Sequence, residues 1–256
     1  MLVRNCVVSP SFGRFHCLRD PRRLATRTMA THASAEQQQG LQPHSSPVQR
    51  PRRRGRVALF APNLVCYARL LLLCGVVACG RNAPAACAWV YLLFASLDAV
   101  DGFLARKLHQ TSSFGAALDV CVDNMGRSLL WVLSTAPPAL AVAMPSLEWL
   151  TFCVTHSRAT AGAAWKAGSF DGAPALLRWL VTRGMSAPQG KVMLLSLQLL
   201  PLAVFLRGAP PCGWLSKAST ALFPALVVGR LCAAAVEVWL VGRHVSELLQ
   251  ADAETT

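Results

Sequence analysis

The sequence predicts an all-α integral membrane protein, with six transmembrane helices behind a disordered basic N-terminal tail. Three observations predict it. Of the 256 residues, 54% are hydrophobic and only 14% charged. Six stretches of roughly 20 mostly apolar residues, the length that spans a bilayer, are separated by polar or Pro/Gly-containing turns. The positive charge is concentrated ahead of the first of them. A soluble domain of this length has more charge and less apolar character.

Residues 1–56 hold 11 Arg, no Lys and only Asp20 and Glu36 as acids, so this segment carries +9 of the net +13. It is rich in Ser, Thr, Gln and Pro and lacks a continuous apolar run, so it does not read as a secretory signal peptide. Two readings remain. One is an Arg-rich, acid-poor organellar transit peptide. The other is an arm that touches anionic lipid, for which Arg50, Arg52, Arg53, Arg54 and Arg56 are well placed. Met29 offers an alternative start. No nucleic-acid partner is expected, because neither interleaved aromatics nor a recognition motif accompanies the basic run.

The expected membrane domain is 57–248, with spans at 60–80, 84–107, 113–136, 139–165, 189–207 and 218–242, followed by a short polar tail at 249–256. Little more than Pro137 and Pro138 separates the third span from the fourth, which predicts a tight hairpin. With the basic tail on the cytosolic side, alternation returns Arg106, Lys107 and His109, then Lys166, Arg178 and Arg183, then Arg243 and His244 to that side, as positive charge prefers. Arg81, Arg207 and Lys217 fall opposite. Residues 173–183 read as an interfacial helix. Eight of the ten cysteines lie in the apolar part with no Cys-x-x-Cys pair and read as small membrane-helix residues.

The second and third spans carry the chemistry. Asp98, Asp101, Gly102 and Ala105 share one stripe of a helix, and Gly115, Asp119 and Asp123 share one stripe of the next. Their depths match. Asp101 lies nine residues before Gln110 in the intervening turn and Asp119 nine after it, with Asp98 and Asp123 twelve and thirteen away. A carboxylate near the centre of a membrane helix costs roughly 2.5–3.5 kcal/mol on insertion scales, so four approach about 10 kcal/mol if uncompensated. A cation must sit among them. Local spacing supplies only Arg106, and one Arg cannot neutralise four carboxylates. Hard divalent ions, Mg²⁺ or Mn²⁺, fit an all-oxygen set, with Gly102, Ala105 and Gly115 leaving room beside them. The competing class is an ion or proton transporter with an acidic mid-membrane site, which predicts broken helices in repeated halves. No such repeat is visible in the sequence.

These residues fit D-x2-D-G-x2-A-R-x8-G-x3-D-x3-D at every fixed position, from Asp98 to Asp123. The chain thereby resembles the CDP-alcohol phosphatidyltransferase family. Within it, the chain is most similar to the enzymes that use inositol as acceptor, through Phe60-Ala-Pro62-Asn63-Leu-Val-Cys-Tyr67-Ala-Arg69, Tyr91-Leu-Leu and Ala105-Arg106-Lys-Leu108-His-Gln110-Thr-Ser112-Ser-Phe114-Gly115. The likeness is close over 58–135, looser to about 250, and leaves out the tail.

The resemblance implies a six-helix membrane fold of the CDP-alcohol phosphatidyltransferase type, often a homodimer, in the endoplasmic reticulum. The Arg-rich tail keeps a mitochondrial or plastid membrane open. It implies transfer of a phosphatidyl group from CDP-diacylglycerol to myo-inositol, giving phosphatidylinositol and CMP. Asp98, Asp101, Asp119 and Asp123 would hold the metal, and Asp123 would also be the general base. Gly102, Arg106, Ser112 and Asn63 would contact the CDP moiety. Arg106 could otherwise mark an interfacial helix end and Ser112 a helix N-cap. His156 and Arg158 read equally as polar-substrate neighbours or as a solvated helix end.

Two departures bear on the acceptor. Inositol enzymes usually carry Arg directly after the last Asp, where this chain has Asn124, with Arg127 one turn on. They commonly have an Asp shortly before a Ser-His pair in the fourth helix, where this chain reads Phe152-Cys-Val-Thr155-His156. Glycerol-phosphate, phosphatidylglycerol, serine or an aminoalcohol are the alternative acceptors.

Overall fold

A computed structural model describes residues 54–160, 169–182 and 187–255. Residues 1–53, with most of the basic tail and Met29, lie outside the described residues, as do Lys166 and Arg183. Among the described residues there are eight helices: α1 (Arg54–Ala58), α2 (Ala61–Cys79), α3 (Pro84–Lys107), α4 (Ser113–Leu133), α5 (Pro138–Thr160), α6 (Ala175–Leu180), α7 (Pro188–Arg207) and α8 (Trp214–Thr255).

Prolines punctuate the chain as the sequence predicts. Pro62, Pro84 and Pro188 occupy the first turns of α2, α3 and α7, where a missing N–H is tolerated. Gly80, at φ +46°, ends α2 and donates to the Val76 carbonyl at 2.8 Å. Ser134 ends α4 and Pro138 opens α5, so the predicted hairpin is present. The interfacial helix expected at 173–183 is helical over six residues, Ala175–Leu180.

Helices α2, α3, α5, α7 and α8 are long and apolar enough to cross a membrane. Helix α4 has spanning length at 21 residues, but Asp119, Asp123 and Arg127 fall within every 18-residue stretch of it. Each of those five instead holds an apolar stretch of that length with at most two charged residues. Large apolar side chains point outward along the helices, with Leu71 and Val132 each 73% exposed. That surface suits lipid contact, since lipid removes the penalty of leaving apolar area uncovered. Helix α8 runs 42 residues, about 63 Å at 1.5 Å per residue, and so outreaches a hydrocarbon layer of about 30 Å.

Helix α2 packs chiefly on α3, and α7 on α8, while α4 touches α2, α5 and α7. One buried cluster, including Leu73, Val76, Tyr91, Phe94, Val122 and Phe205, joins α2, α3, α4 and α7. The polar residues of interest lie at its edge. At one end of the bundle the α3–α4 turn is tied to the start of α2, where the Ala61 N–H donates to Gln110 Oε1 at 2.9 Å.

Candidate functional site

The α3–α4 turn brings the two carboxylate stripes together. His109 adopts φ +51°, unusual for a residue with a side chain, and the Gln110 N–H returns to the Ala105 carbonyl at 3.0 Å, so the chain reverses within five residues. Ser112 caps α4 by accepting from the Gly115 N–H at 3.0 Å. A Cβ on Gly115 would lie 2.7 Å from Asn63 Oδ1, so only Gly lets α2 approach here. Asn63, 2% exposed, donates to the Val57 carbonyl at 2.7 Å.

All four aspartates converge and are buried, from 0% exposed at Asp123 to 7% at Asp98. At their centre lies the guanidinium of Arg69, from α2, fully buried. Its Nη1 is 3.0 Å from Asp101 Oδ2, 2.9 Å from Asp119 Oδ1 and 3.6 Å from Asp98 Oδ1, and its Nη2 donates to Asp123 Oδ1. Sequence spacing offered Arg106 as the cation at hand. Arg106 is instead exposed in the last turn of α3, and among the described residues it forms no ion pair with the four. A local pattern relates neighbours on one helix, whereas Arg69 arrives by the packing of α2 on α3 and α4.

Among the described residues Arg69 alone pairs with all four carboxylates and Arg127 approaches only Asp123, which leaves an acidic centre. Ligand atoms of Asp98, Asp119 and Asp123 lie within 4.8 Å of one another, as do those of Cys66, Asp101 and Asp119, so these groups could hold a metal ion. Asp98 Oδ1 and Asp123 Oδ2 are buried and make no hydrogen bond among the described residues, which leaves oxygen donors available. Such a donor set fits a hard divalent cation. Of the other expected site residues, Gly102 and Ser112 are half-buried, beside the acidic stripe and at the start of α4.

Beyond Asp123 runs a second set of buried charges that the sequence reading did not assemble. Arg127 Nη1 lies 3.6 Å from Asp123 Oδ2, its Nη2 donates to Asn124 Oδ1, and its Nε donates to Glu148 Oε2 at 2.5 Å. Glu148, 1% exposed, also meets Arg230 at 3.3 Å, and Arg230 donates to Glu237 at 2.8 Å. Four more ionisable groups inside apolar spans were the signal, by the insertion-cost argument already applied to the aspartates. By contrast, Arg158 pairs with Glu247 at 2.5 Å and His156 lies 5.4 Å from the Phe152 ring, away from this network.

The profile of the CDP-alcohol phosphatidyltransferase family matches residues 59–245. The chain belongs to this family. Within the CDP-alcohol phosphatidyltransferases it is similar to a CDP-diacylglycerol–inositol 3-phosphatidyltransferase of Schizosaccharomyces pombe, 41% identical over 87 residues, which is 34% of this chain and 37% of that protein. Another so named, from Arabidopsis thaliana, is 38% identical over 96 residues, 37% of this chain and 40% of its own. The human protein of that name is 38% identical over 76 residues, 30% of this chain and 36% of its own. The matched stretches thus span well under half the length of these relatives. No solved structure matches significantly.

Proposed function

We propose that the chain transfers a phosphatidyl group from CDP-diacylglycerol to myo-inositol, releasing CMP. The observation that carries this reading is the convergence of Asp98, Asp101, Asp119 and Asp123 in one buried centre, from a motif that fits the family at every fixed position. The inositol relatives support the acceptor, and so does the surrounding geometry. Arg127 reaches back one turn to Asp123 and Asn124, supplying a guanidinium beside the last aspartate. Glu148 supplies the buried carboxylate on the following helix that the linear motif lacked.

The four aspartates would hold Mg²⁺ or Mn²⁺, whose charge when bound offsets that of the pyrophosphate as CMP leaves. The chain's own residues do the rest. Asp123 Oδ2, which like Asp98 Oδ1 makes no hydrogen bond among the described residues, takes the proton of the attacking hydroxyl. The hydroxyl oxygen then bonds to the phosphorus bearing the diacylglycerol, and the phosphoanhydride bond to CMP breaks. Gly102, Arg106, Ser112 and Asn63 contact the CDP moiety. On this reading α4 crosses the bilayer with the five apolar helices, its charges covered inside the bundle. The setting is the endoplasmic reticulum membrane, with a homodimer as the working unit.

Purified protein assayed for metal-dependent CMP release with a panel of alcohols tests the reading. Release with inositol is expected, and release only with another alcohol would reassign the acceptor. Asp123→Asn should lower the rate by about 10²–10⁴-fold, the span that general-base removal covers. An unchanged rate would remove Asp123 from that role.

A further inference from the structure

We propose that Arg69 is a resident counter-cation of the aspartate centre, which competes with the divalent ion for Asp101 and Asp119 and holds the centre together when metal is absent. This rests on the metal-centre reading above and goes beyond it, because it gives a residue outside the aspartate motif control over metal affinity.

The carboxylates in question are shared. Nη1 of Arg69 lies 3.0 Å from Asp101 Oδ2 and 2.9 Å from Asp119 Oδ1, and Asp101 and Asp119 belong to the groups whose ligand atoms cluster within 4.8 Å. A divalent ion bound through those oxygens must displace the guanidinium from them or tolerate a positive charge a few ångströms away. Either requirement weakens metal binding, and like charges repel strongly where water is excluded. Without metal the same contact is favourable. Removing the guanidinium would leave the four buried carboxylates, among the described residues, with Arg127 alone as an ion-pair partner, 3.6 Å from Asp123 and already engaged by Glu148.

The position of the guanidinium is built by packing as well as by charge. It lies over the Phe94 ring, 4.7 Å from the centroid, and Phe94 is fully buried and stacked at 5.5 Å on Tyr91. A Cβ on Gly126 would come within 2.5 Å of Phe94, so α4 packs tightly against the ring. The face of Phe94 thus holds the cation, an arrangement favourable in itself once desolvated. Arg69 is accordingly a positioning residue with a charge-specific role.

The test uses the full chain in detergent micelles with Mn²⁺ alone, free Mn²⁺ being followed by its paramagnetic resonance signal and folding by thermal unfolding. Arg69→Gln should bind Mn²⁺ about tenfold or more tightly than wild type and unfold at lower temperature in chelator. Arg69→Lys, which keeps the charge, should stay within about threefold of wild-type affinity. Equal or weaker Mn²⁺ binding by Arg69→Gln, with wild type binding normally, overturns the proposal and leaves the metal centre standing. No binding by wild type, or binding unaffected by Asp101→Asn and Asp119→Asn, overturns the metal-centre reading itself and this inference with it. Should Arg69→Gln fail to fold in chelator, it should fold when prepared throughout in Mn²⁺. Failure there as well counts against the proposal.

Discussion

Arg69 and the four aspartates occupy a volume from which water is excluded, and at that scale single atoms decide behaviour. An isolated charge in such a place is unfavourable by several kcal/mol, so each carboxylate must be paired, hydrogen-bonded or coordinated. Asp101 and Asp119 share Nη1 of Arg69, and Asp123 meets both Arg69 and Arg127, whereas Asp98 Oδ1 keeps only a 3.6 Å approach to Arg69. Gly126 shows how finely the guanidinium is placed. A methyl group there would meet the Phe94 ring, on which the Arg69 guanidinium lies, at 2.5 Å and force it to shift. Gly126→Ala should therefore destabilise the fold by about 1–3 kcal/mol, the usual range for overpacking, and lower CMP release as well. Thermal unfolding alongside the CMP assay checks this, and a neutral Gly126→Ala would show that the ring yields freely.

Between elements, the buried ion pairs act as fasteners from helix to helix. Arg127 on α4, Glu148 on α5, and Arg230 and Glu237 on α8 form a chain of contacts from the aspartate centre into the last helix. Truncating Glu148 takes a buried counter-charge from two guanidiniums at once, leaving Arg127 with Asp123 at 3.6 Å and Arg230 with Glu237 at 2.8 Å. Glu148→Ala should cost about 3–5 kcal/mol, read as a lowered unfolding midpoint. Replacing both Glu148 and Arg127 by apolar residues of similar size should recover most of that stability, since an unpaired charge is the main penalty. A Glu148→Ala protein as stable as wild type would show that water reaches Arg127. The same elements show what could be read in advance. The spans at 84–107 and 189–207 match α3 and α7 to within a residue, because a proline at the start and a basic residue at the end mark each boundary. The expected span at 218–242 falls inside the longer α8, whose polar C-terminal turns continue the helix to Thr255. Apolar content reports what lipid can cover and does not report where helical hydrogen bonding stops.

For the molecule as a whole, the outward Leu and Val side chains place the bundle in a bilayer. Membranes stripped with high salt or alkaline carbonate should retain the protein, and detergent alone should release it. Release by carbonate would contradict a spanning bundle. Family membership, helix type and approximate boundaries were legible in the chain because they rest on composition, proline placement and one contiguous motif.

The facing of the two aspartate stripes was legible too. They sit on adjacent helices joined by a short turn, so sequence distance and spatial distance agree, and an insertion cost of about 10 kcal/mol demanded that they meet something positive. What they meet was decided only by the tertiary structure. Arg69 lies 29 residues before Asp98 and Glu148 lies 21 after Arg127, and no helical period relates either to its partner. Helix packing, stopped at close range by Gly115 and Gly126, brings these groups together. Periodicity describes a single helix face, whereas the charge balance of a buried centre is a sum over every helix packed against it.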